Sequence, residues 1–115
     1  MPFSQRQRPL YEVKAGLFKG LAHPFRIRIL ELLSAKGEQS VQALQAELSV
    51  DQPIISQQLA KLRAHTIVIS RKEGTTVVYA LADPRIADLL KVAKDVLNRR
   101  LAGTKTLLHE LRRHG

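Results

Sequence analysis

The chain has 115 residues, of which 44% are hydrophobic and 25% are charged, and this balance is typical of one globular domain rather than a disordered or fibrous chain. Lysine and arginine number 19 against 10 acidic residues, so the net charge of +9 favours a polyanionic partner, most often nucleic acid. The absence of cysteine excludes a disulfide scaffold, a thiolate metal site and a cysteine nucleophile. No apolar stretch approaches about 18 residues, and the N-terminus lacks the apolar core of a signal peptide, so we expect a cytoplasmic protein without a membrane partner.

The first part of the chain is predicted to form an arm and two helices. Residues 1–9 are polar with a proline near either end, and they predict a flexible N-terminal arm. Apolar residues recur at steps of three and four over 10–22, which is the spacing of an amphipathic helix. The pair His23-Pro24 ends this helix and begins a second one over 24–34, because proline suits a first helical turn and disfavours helix in the residue before it. The second helix is apolar on most of its surface, so we expect it at the centre of the core.

Two short helices and a hairpin are predicted next. Ser40 is the expected N-cap of the first short helix, and Asp51 is the expected N-cap of the second. Runs of β-branched and aromatic residues then flank Glu73-Gly74 on both sides, which predicts a β-hairpin. Two helices, a helix-turn-helix, a hairpin and a final helix form the plan of a winged helix-turn-helix, a mainly α fold with a β-hairpin wing (α+β).

A long last helix is predicted after Asp83-Pro84, with an apolar stripe that continues to Leu111. The helix is predicted either to run unbroken to Leu111, over about 26 residues, or to be interrupted at Gly103. We predict a winged helix-turn-helix domain with dimerisation helices over 10–102 and a C-terminal helical extension or tail over 103–115. The stripe is longer than a small monomer can cover, and the first helix is also amphipathic, so packing both against a twofold mate predicts a homodimer. The expected interface residues are Leu17, Leu21, Leu89, Leu90, Ala93, Val96, Leu97 and Leu101. The alternative is that both stripes serve only the core of a monomer.

The second short helix and the hairpin carry the residue types that bind double-stranded DNA. A recognition helix presents its N-terminal residues to base edges in the major groove; glutamine and serine can hydrogen-bond to bases, whereas lysine and arginine hold phosphates. We therefore predict base contacts from Gln52, Ser56 and Gln57, and contacts to the DNA backbone from Gln58, Lys61, Arg63, Arg71, Lys72 and Thr75. No acidic residue lies between Gln52 and Lys72. Glu73 is expected to point away from DNA and to pair with Lys72.

Three segments carry recognisable motifs: LAHPFRIRIL from Leu21, ISQQLAKL from Ile55, and the stretch 71–81. In the same order they are similar to the signature LAHPxRxxIL, the recognition helix VSxHLxxL and the wing of the ArsR/SmtB family of bacterial winged-helix repressors. The resemblance covers about residues 11–100. The chain departs from the family at Gln45, at Ser49 and at Gln57-Gln58, so the base preference of other members cannot be transferred. The resemblance implies a homodimeric repressor that binds an operator and is released by an inducer.

The metal-ligand positions of this family are altered in the chain. The position of the family's thiolate ligand is occupied by Ser40, which cannot replace a soft thiolate. The positions of the interfacial zinc site are Asp83, Arg85, Val96 and Arg99, so only the aspartate keeps a ligand type. We therefore predict no metal and no cofactor at these sites, and a signal that needs no thiolate, such as a small-molecule inducer bound between the first and last helices.

The histidines leave one metal hypothesis open. His109, Glu110 and His114 could form a C-terminal metal-sensing site, although a spacing of five residues between the two histidines is unfavourable on one helical face. His23 is expected to have a structural role at the junction of the first two helices. His65 ends the predicted recognition helix, where a cation suits the helix dipole or a phosphate.

Two other functional classes, an enzyme and a nonspecific basic module, are alternatives to a DNA-binding regulator. An enzyme is not expected, because the chain has no glycine-rich phosphate loop, no HExxH motif and no recognisable catalytic triad. A basic module that binds nucleic acid or protein without sequence preference remains an alternative. A repressor and a nonspecific module differ in sequence preference. A repressor should bind its operator about 10³-fold or more tightly than random DNA.

Overall fold

The computed structural model describes residues 8–114, with the side chains of 104–108, 113 and 114 left out. Within that range the helices are α1 (Leu10–Leu21), α2 (Pro24–Lys36), α3 (Val41–Leu48), α4 (Gln52–Ala64) and α5 (Arg85–His114), and the strands are β1 (Gln39–Ser40), β2 (Val68–Glu73) and β3 (Thr76–Leu81). This architecture confirms the predicted winged helix-turn-helix. Most of the predicted N-terminal arm lies outside the described residues.

The junction between α1 and α2 is capped by the side chain of His23. His23 is extended, and its Nδ1 accepts a hydrogen bond from the backbone N–H of Phe25 at 3.1 Å. This bond satisfies one of the N–H groups that the first turn of a helix leaves without a partner. Pro24 begins α2, and the helix continues two residues beyond the predicted Ser34 before Gly37 ends it with a φ of 77°. The structural role predicted for His23 is therefore confirmed.

The helix-turn-helix formed by α3 and α4 agrees with one predicted cap and corrects the other. The Ser40 hydroxyl accepts a hydrogen bond from the Ala43 N–H at 3.1 Å and caps α3. Ser49 then adopts the left-handed conformation, with φ 55° and ψ 44°, and turns the chain towards α4. Asp51 occupies the N-cap position of α4, but its side chain makes no capping hydrogen bond. The sequence therefore predicted the start of α4 correctly, but the capping hydrogen bond expected from Asp51 is not formed.

The wing is a three-stranded antiparallel sheet in the order β1-β3-β2. The predicted hairpin is present, with Val68 opposite Leu81 and Glu73 opposite Thr76, and Gly74 has the positive φ of 65° that its tight turn requires. Strand β1 was not predicted. It has two residues, and it forms because Gln39 and Ser40 pair with the free edge of β3. A segment this short shows no sequence period.

The core lies beneath the helix-turn-helix. Side chains from α2, α3, α4 and the start of β2 fill it, and the largest fully buried ones are Ile29, Leu30, Leu44, Ile55, Leu59, Leu62, Ile67 and Val68. Four residues of α2 are buried, which confirms its predicted central position. The packing leaves the opposite face of α4 exposed to solvent.

Helix α5 leaves the body of the domain after its first two turns. Ile86 is buried, and Leu89 and Leu90 pack partly against the core, whereas every residue over 91–103 is exposed. The helix has 30 residues and is therefore roughly 45 Å long. It passes through Gly103 without a break, so the unbroken helix is the alternative observed. No helix in the described part of the chain is long and apolar enough to span a membrane.

Candidate nucleic-acid interface

Helix α4 directs three apolar side chains into the core and most of its polar side chains into solvent. Ile55, Leu59 and Leu62 are fully buried, whereas the predicted base-contacting residues Gln52, Ser56 and Gln57 are all exposed. Lys61 and Arg63 are exposed in the last turn of the same helix. The fold therefore directs amide and hydroxyl groups outwards near the start of α4 and cations outwards near its end. This is the order that a helix inserted into the major groove would use.

Gln58 differs from the other residues predicted to contact DNA. Its side chain is only 7% exposed, and its Oε1 accepts a hydrogen bond from an Nη1 of Arg26 at 3.1 Å. Gln58 lies three residues after Ile55 and four before Leu62, so helical geometry places it on the buried face. This placement argues against the predicted contact to the DNA backbone, and we leave Gln58 out of the interface.

The wing carries an arginine, Arg71, that already forms ion pairs with two carboxylates. Arg71 donates from Nε to Glu38 Oε2 at 2.8 Å, from Nη2 to Glu38 Oε1 at 3.1 Å and from Nη2 to Glu73 Oε2 at 2.9 Å. The hydrogen bond from Arg71 lowers the pKa of Glu38, and the bond to Glu38 raises the pKa of Arg71. Glu73 was expected to pair with Lys72, and that was wrong. Residues 71 and 73 lie on the same face of β2, whereas Lys72 points to the other face.

The other cations predicted to contact the DNA backbone are not paired with a described carboxylate. Lys61, Arg63 and Lys72 form no ion pair with any residue that the structure describes. Thr75 is exposed in the tight turn of the wing. The surface therefore offers unneutralised positive charge at the end of α4 and at the tip of the wing. Arg71, by contrast, is shielded by the carboxylates of Glu38 and Glu73.

Two residues that contact the predicted DNA-binding residues were not identified from sequence. Arg26 contacts both the end of α1 and Gln58 of α4. Its unusual position in the first turn of α2, where a cation opposes the helix dipole, was a usable signal. Glu38 lies 33 residues before its partner Arg71, and no spacing rule connects them.

The predicted dimer residues fall into two groups. Leu17, Val96, Leu97 and Leu101 have 37%, 52%, 54% and 55% of their surface exposed, and Ala93 is also exposed. Leu21 is buried in the core of the protomer, and Leu89 and Leu90 are packed partly against it. The burial of Leu21 within the protomer argues against its predicted place in the dimer interface. Further exposed apolar residues on the two helices are Leu10, Tyr11, Val13, Phe18, Val92 and Leu111.

Two of the four positions of the altered zinc site, Asp83 and Arg85, form an ion pair with each other. Arg85 donates to both carboxylate oxygens of Asp83 at 2.7–3.2 Å, and its backbone N–H also bonds to Asp83. These bonds lower the pKa of Asp83 to about 2. No group of three or more potential ligand side chains gathers anywhere in the described residues. His109 and Glu110 are exposed on α5, and the side chain of His114 lies outside the described residues.

Comparison with known proteins agrees with this architecture. The family model for "Bacterial regulatory protein, arsR family" matches residues 23–70, from the start of α2 into β2. The chain is 43% identical over 107 residues to the uncharacterized HTH-type transcriptional regulator Rv0081 of Mycobacterium tuberculosis, which covers 93% of this chain and 94% of that protein. The chain belongs to the ArsR family. The crystal structure of Rv0081 matches this ArsR protein with a TM-score of 0.75 and 44% identity, over 85% of this chain and 98% of that one.

Two further relatives of this ArsR protein carry informative names. The biofilm growth-associated repressor of Agrobacterium fabrum is 41% identical over 91 residues, or 79% of this chain and 76% of that protein. The solution structure of the homodimeric winged helix-turn-helix DNA-binding domain Mb0332 from Mycobacterium bovis has a TM-score of 0.73 at 30% identity, over 80% of this chain and 84% of that one. Family membership confirms a DNA-binding transcriptional regulator. It also confirms that the protein is not an enzyme.

Proposed function

We propose that this ArsR-family regulator is a homodimeric repressor that binds a twofold operator in the cytoplasm. The observation that carries the proposal is the exposed face of α4, with amide and hydroxyl groups near its start and unneutralised cations at its end. Gln52, Ser56 and Gln57 would read base edges in the major groove. Lys61, Arg63, Lys72, Thr75 and, more weakly, Arg71 would hold the DNA backbone.

The exposed apolar faces of α1 and α5 support the dimer. Contiguous apolar surface of this kind marks an interaction site in a protein of this size. The Cα radius of gyration is 18.2 Å, whereas a compact chain of this length would have about 13 Å. Packing the two helices against a second copy would bury both faces in a closed, twofold arrangement. The homodimeric form named for the Mb0332 domain agrees with this assembly.

Repression and release are supported by more general observations. The Agrobacterium fabrum relative is named as a repressor. The chain contains no cysteine, and Arg85 engages Asp83 at the altered metal position. We therefore propose a signal that does not need a thiolate, with a small molecule between α1 and α5 of the dimer as the inducer.

Selection from a random library of DNA duplexes tests this function. The wild-type protein, in the presence of a chelator, should enrich a twofold sequence whose half-sites are about one helical turn apart. Sedimentation velocity should give a dimer for the free protein. Recovery of DNA without an enriched sequence would contradict the proposal and would favour a basic module that binds nucleic acid without sequence preference.

A further inference from the structure

Arg26 joins the end of α1 to the recognition helix through three hydrogen bonds, each donated by its guanidinium group. Its Nε donates to the Gly20 carbonyl oxygen at 2.8 Å, and its Nη2 donates to the Lys19 carbonyl oxygen at 3.4 Å. Its Nη1 donates to Oε1 of Gln58 at 3.1 Å. One planar guanidinium therefore holds the C-terminal end of one helix and a side chain of another. The compact ammonium group of a lysine cannot present donors in this fork geometry.

The position of Arg26 in its own helix indicates what the side chain is for. It is the third residue of α2, where the positive end of the helix dipole disfavours a cation. The last carbonyl groups of α1 have no partner within that helix and lie at the negative end of its dipole. The guanidinium is thus unfavourable for the start of α2 and favourable for the end of α1.

Gln58 receives the third bond in a buried setting. It is the one buried polar side chain in the described part of the chain, and it lies between Ile55 and Leu62 on the core face of α4. A buried amide oxygen without a partner is unfavourable, and a charged donor makes a stronger bond than a neutral one. A rotation or shift of α4 would therefore separate Gln58 from Arg26 and leave its oxygen unsatisfied.

The end of α1 also contacts the turn that directly follows α4. A Cβ atom on Gly20 would lie 2.7 Å from Cδ1 of Ile67 and 2.8 Å from Cγ of His65, which is closer than real Cβ atoms approach. The backbone of α1 therefore rests directly on the turn that follows α4. Contacts at Gln58 and at His65 fix both the position and the angle of α1 relative to α4.

We infer that Arg26 is a positioning residue that sets the geometry between the apolar face of α1 and the DNA-reading face of α4. The inference rests on the proposed function, because α1 has to lie in the dimer interface. In a twofold dimer, the angle between α1 and α4 in each protomer determines the distance between the two recognition helices. That distance has to match half-sites roughly 10 base pairs apart. The bond between Arg26 and Gln58 therefore selects the spacing of the operator rather than its bases.

The Arg26→Lys variant tests this role, with Arg28→Lys as its matched control. Arg28 lies two residues away on the same helix, and its guanidinium forms an exposed pair with Glu31 at 3.5 Å. Both variants and the wild type are titrated with the selected duplex and with duplexes that have one or two base pairs added or removed between the half-sites. The wild type and Arg28→Lys should lose about tenfold in affinity at the wrong spacings. Arg26→Lys should bind the best duplex about tenfold more weakly and differ by only about threefold across the series.

A second variant keeps the test decisive if Arg26→Lys does not fold. Gln58→Met removes the acceptor at nearly constant side-chain length, and it should flatten the spacing profile in the same way while sedimentation still shows a dimer. Losses of equal size at every spacing would indicate a merely structural role and would overturn the inference. A wild-type protein that selects neither a sequence nor a spacing would contradict the proposed function itself.

Discussion

The recognition helix and the wing are both basic in sequence, but the fold leaves their charges in different states. At the end of α4, Lys61 and Arg63 form no ion pair with a described residue, whereas Arg71 in the wing is bonded to two carboxylates. One of these, Glu38, comes from the segment before β1 and is distant in sequence. The charge that a surface can offer to phosphate thus depends on which acidic residues the fold brings to it. The comparison predicts that α4 supplies specificity and that the wing supplies a smaller, partly shielded attraction.

The largest expected effect comes from separating the two copies of α4 and the wing. Aspartate in place of the exposed Leu97 on α5 puts a charge into the proposed apolar interface, so Leu97→Asp should yield a monomer. Operator affinity should fall by about 100-fold or more, because two half-sites can no longer be bound together. The matched control is Asn98→Asp, which adds the same charge at an exposed neighbour and should remain dimeric. A stable Leu97→Asp dimer in sedimentation velocity would show that the interface lies elsewhere.

The next largest effect tests whether α4 reads bases. Gln57→Ala removes an exposed amide from the outer face of the helix. It should cost about 1–3 kcal/mol on the selected duplex and little on a scrambled one, because only base contacts distinguish the two. Fluorescence anisotropy with both duplexes measures the difference. Equal losses on both would assign Gln57 to the backbone or to the fold.

A smaller effect should distinguish two neighbouring cations of the wing. Lys72→Ala should weaken binding to both duplexes alike and reduce the slope of log affinity against log salt by about one unit. Arg71→Ala should change that slope by clearly less, because Glu38 and Glu73 already offset its charge. A larger change in slope for Arg71→Ala than for Lys72→Ala would contradict the shielding.

The smallest effect is a gain of affinity. Glu38→Gln removes a carboxylate from the wing and releases Arg71 from one partner, so both duplexes should bind up to about fivefold more tightly, the scale of a surface ion pair. The control is Glu47→Gln, which removes a carboxylate that pairs with Lys36 instead. Arg71 lowers the pKa of Glu38, so the carboxylate stays ionised above its ordinary pKa and loses its charge only as the pH falls through the lowered value. The gain should therefore be constant between about pH 6 and 8. Unchanged affinity would indicate that the pair does not shield the wing.

Sequence patterns predicted the local structure well because they reflect local causes. The apolar spacing of α1 and α2, the cap at Ser40 and the turn at Gly74 each depend on residues within a few positions of one another. Gln58 could also have been placed correctly. It completes the three- and four-residue steps from Ile55 to Leu62, and that pattern defines the buried face of α4.

The contacts that sequence did not predict are those between distant segments. Arg71 and Glu38 are 33 residues apart and Arg26 and Gln58 are 32 apart, so no periodicity connects either pair. Strand β1 exists only because β3 offers it an edge. The predicted residue types were therefore suitable for DNA binding, but which of them remain free for DNA depended on the tertiary fold.

Binding of the wild-type protein to the selected duplex and to a scrambled duplex tests the central claim most directly. The titrations are made by fluorescence anisotropy in chelator at two salt concentrations. If α4 reads sequence without a metal, the selected duplex should bind about 10³-fold or more tightly, and this preference should persist at the higher salt concentration. Equal affinity for both duplexes, falling together as salt increases, would contradict the claim and indicate binding through charge alone.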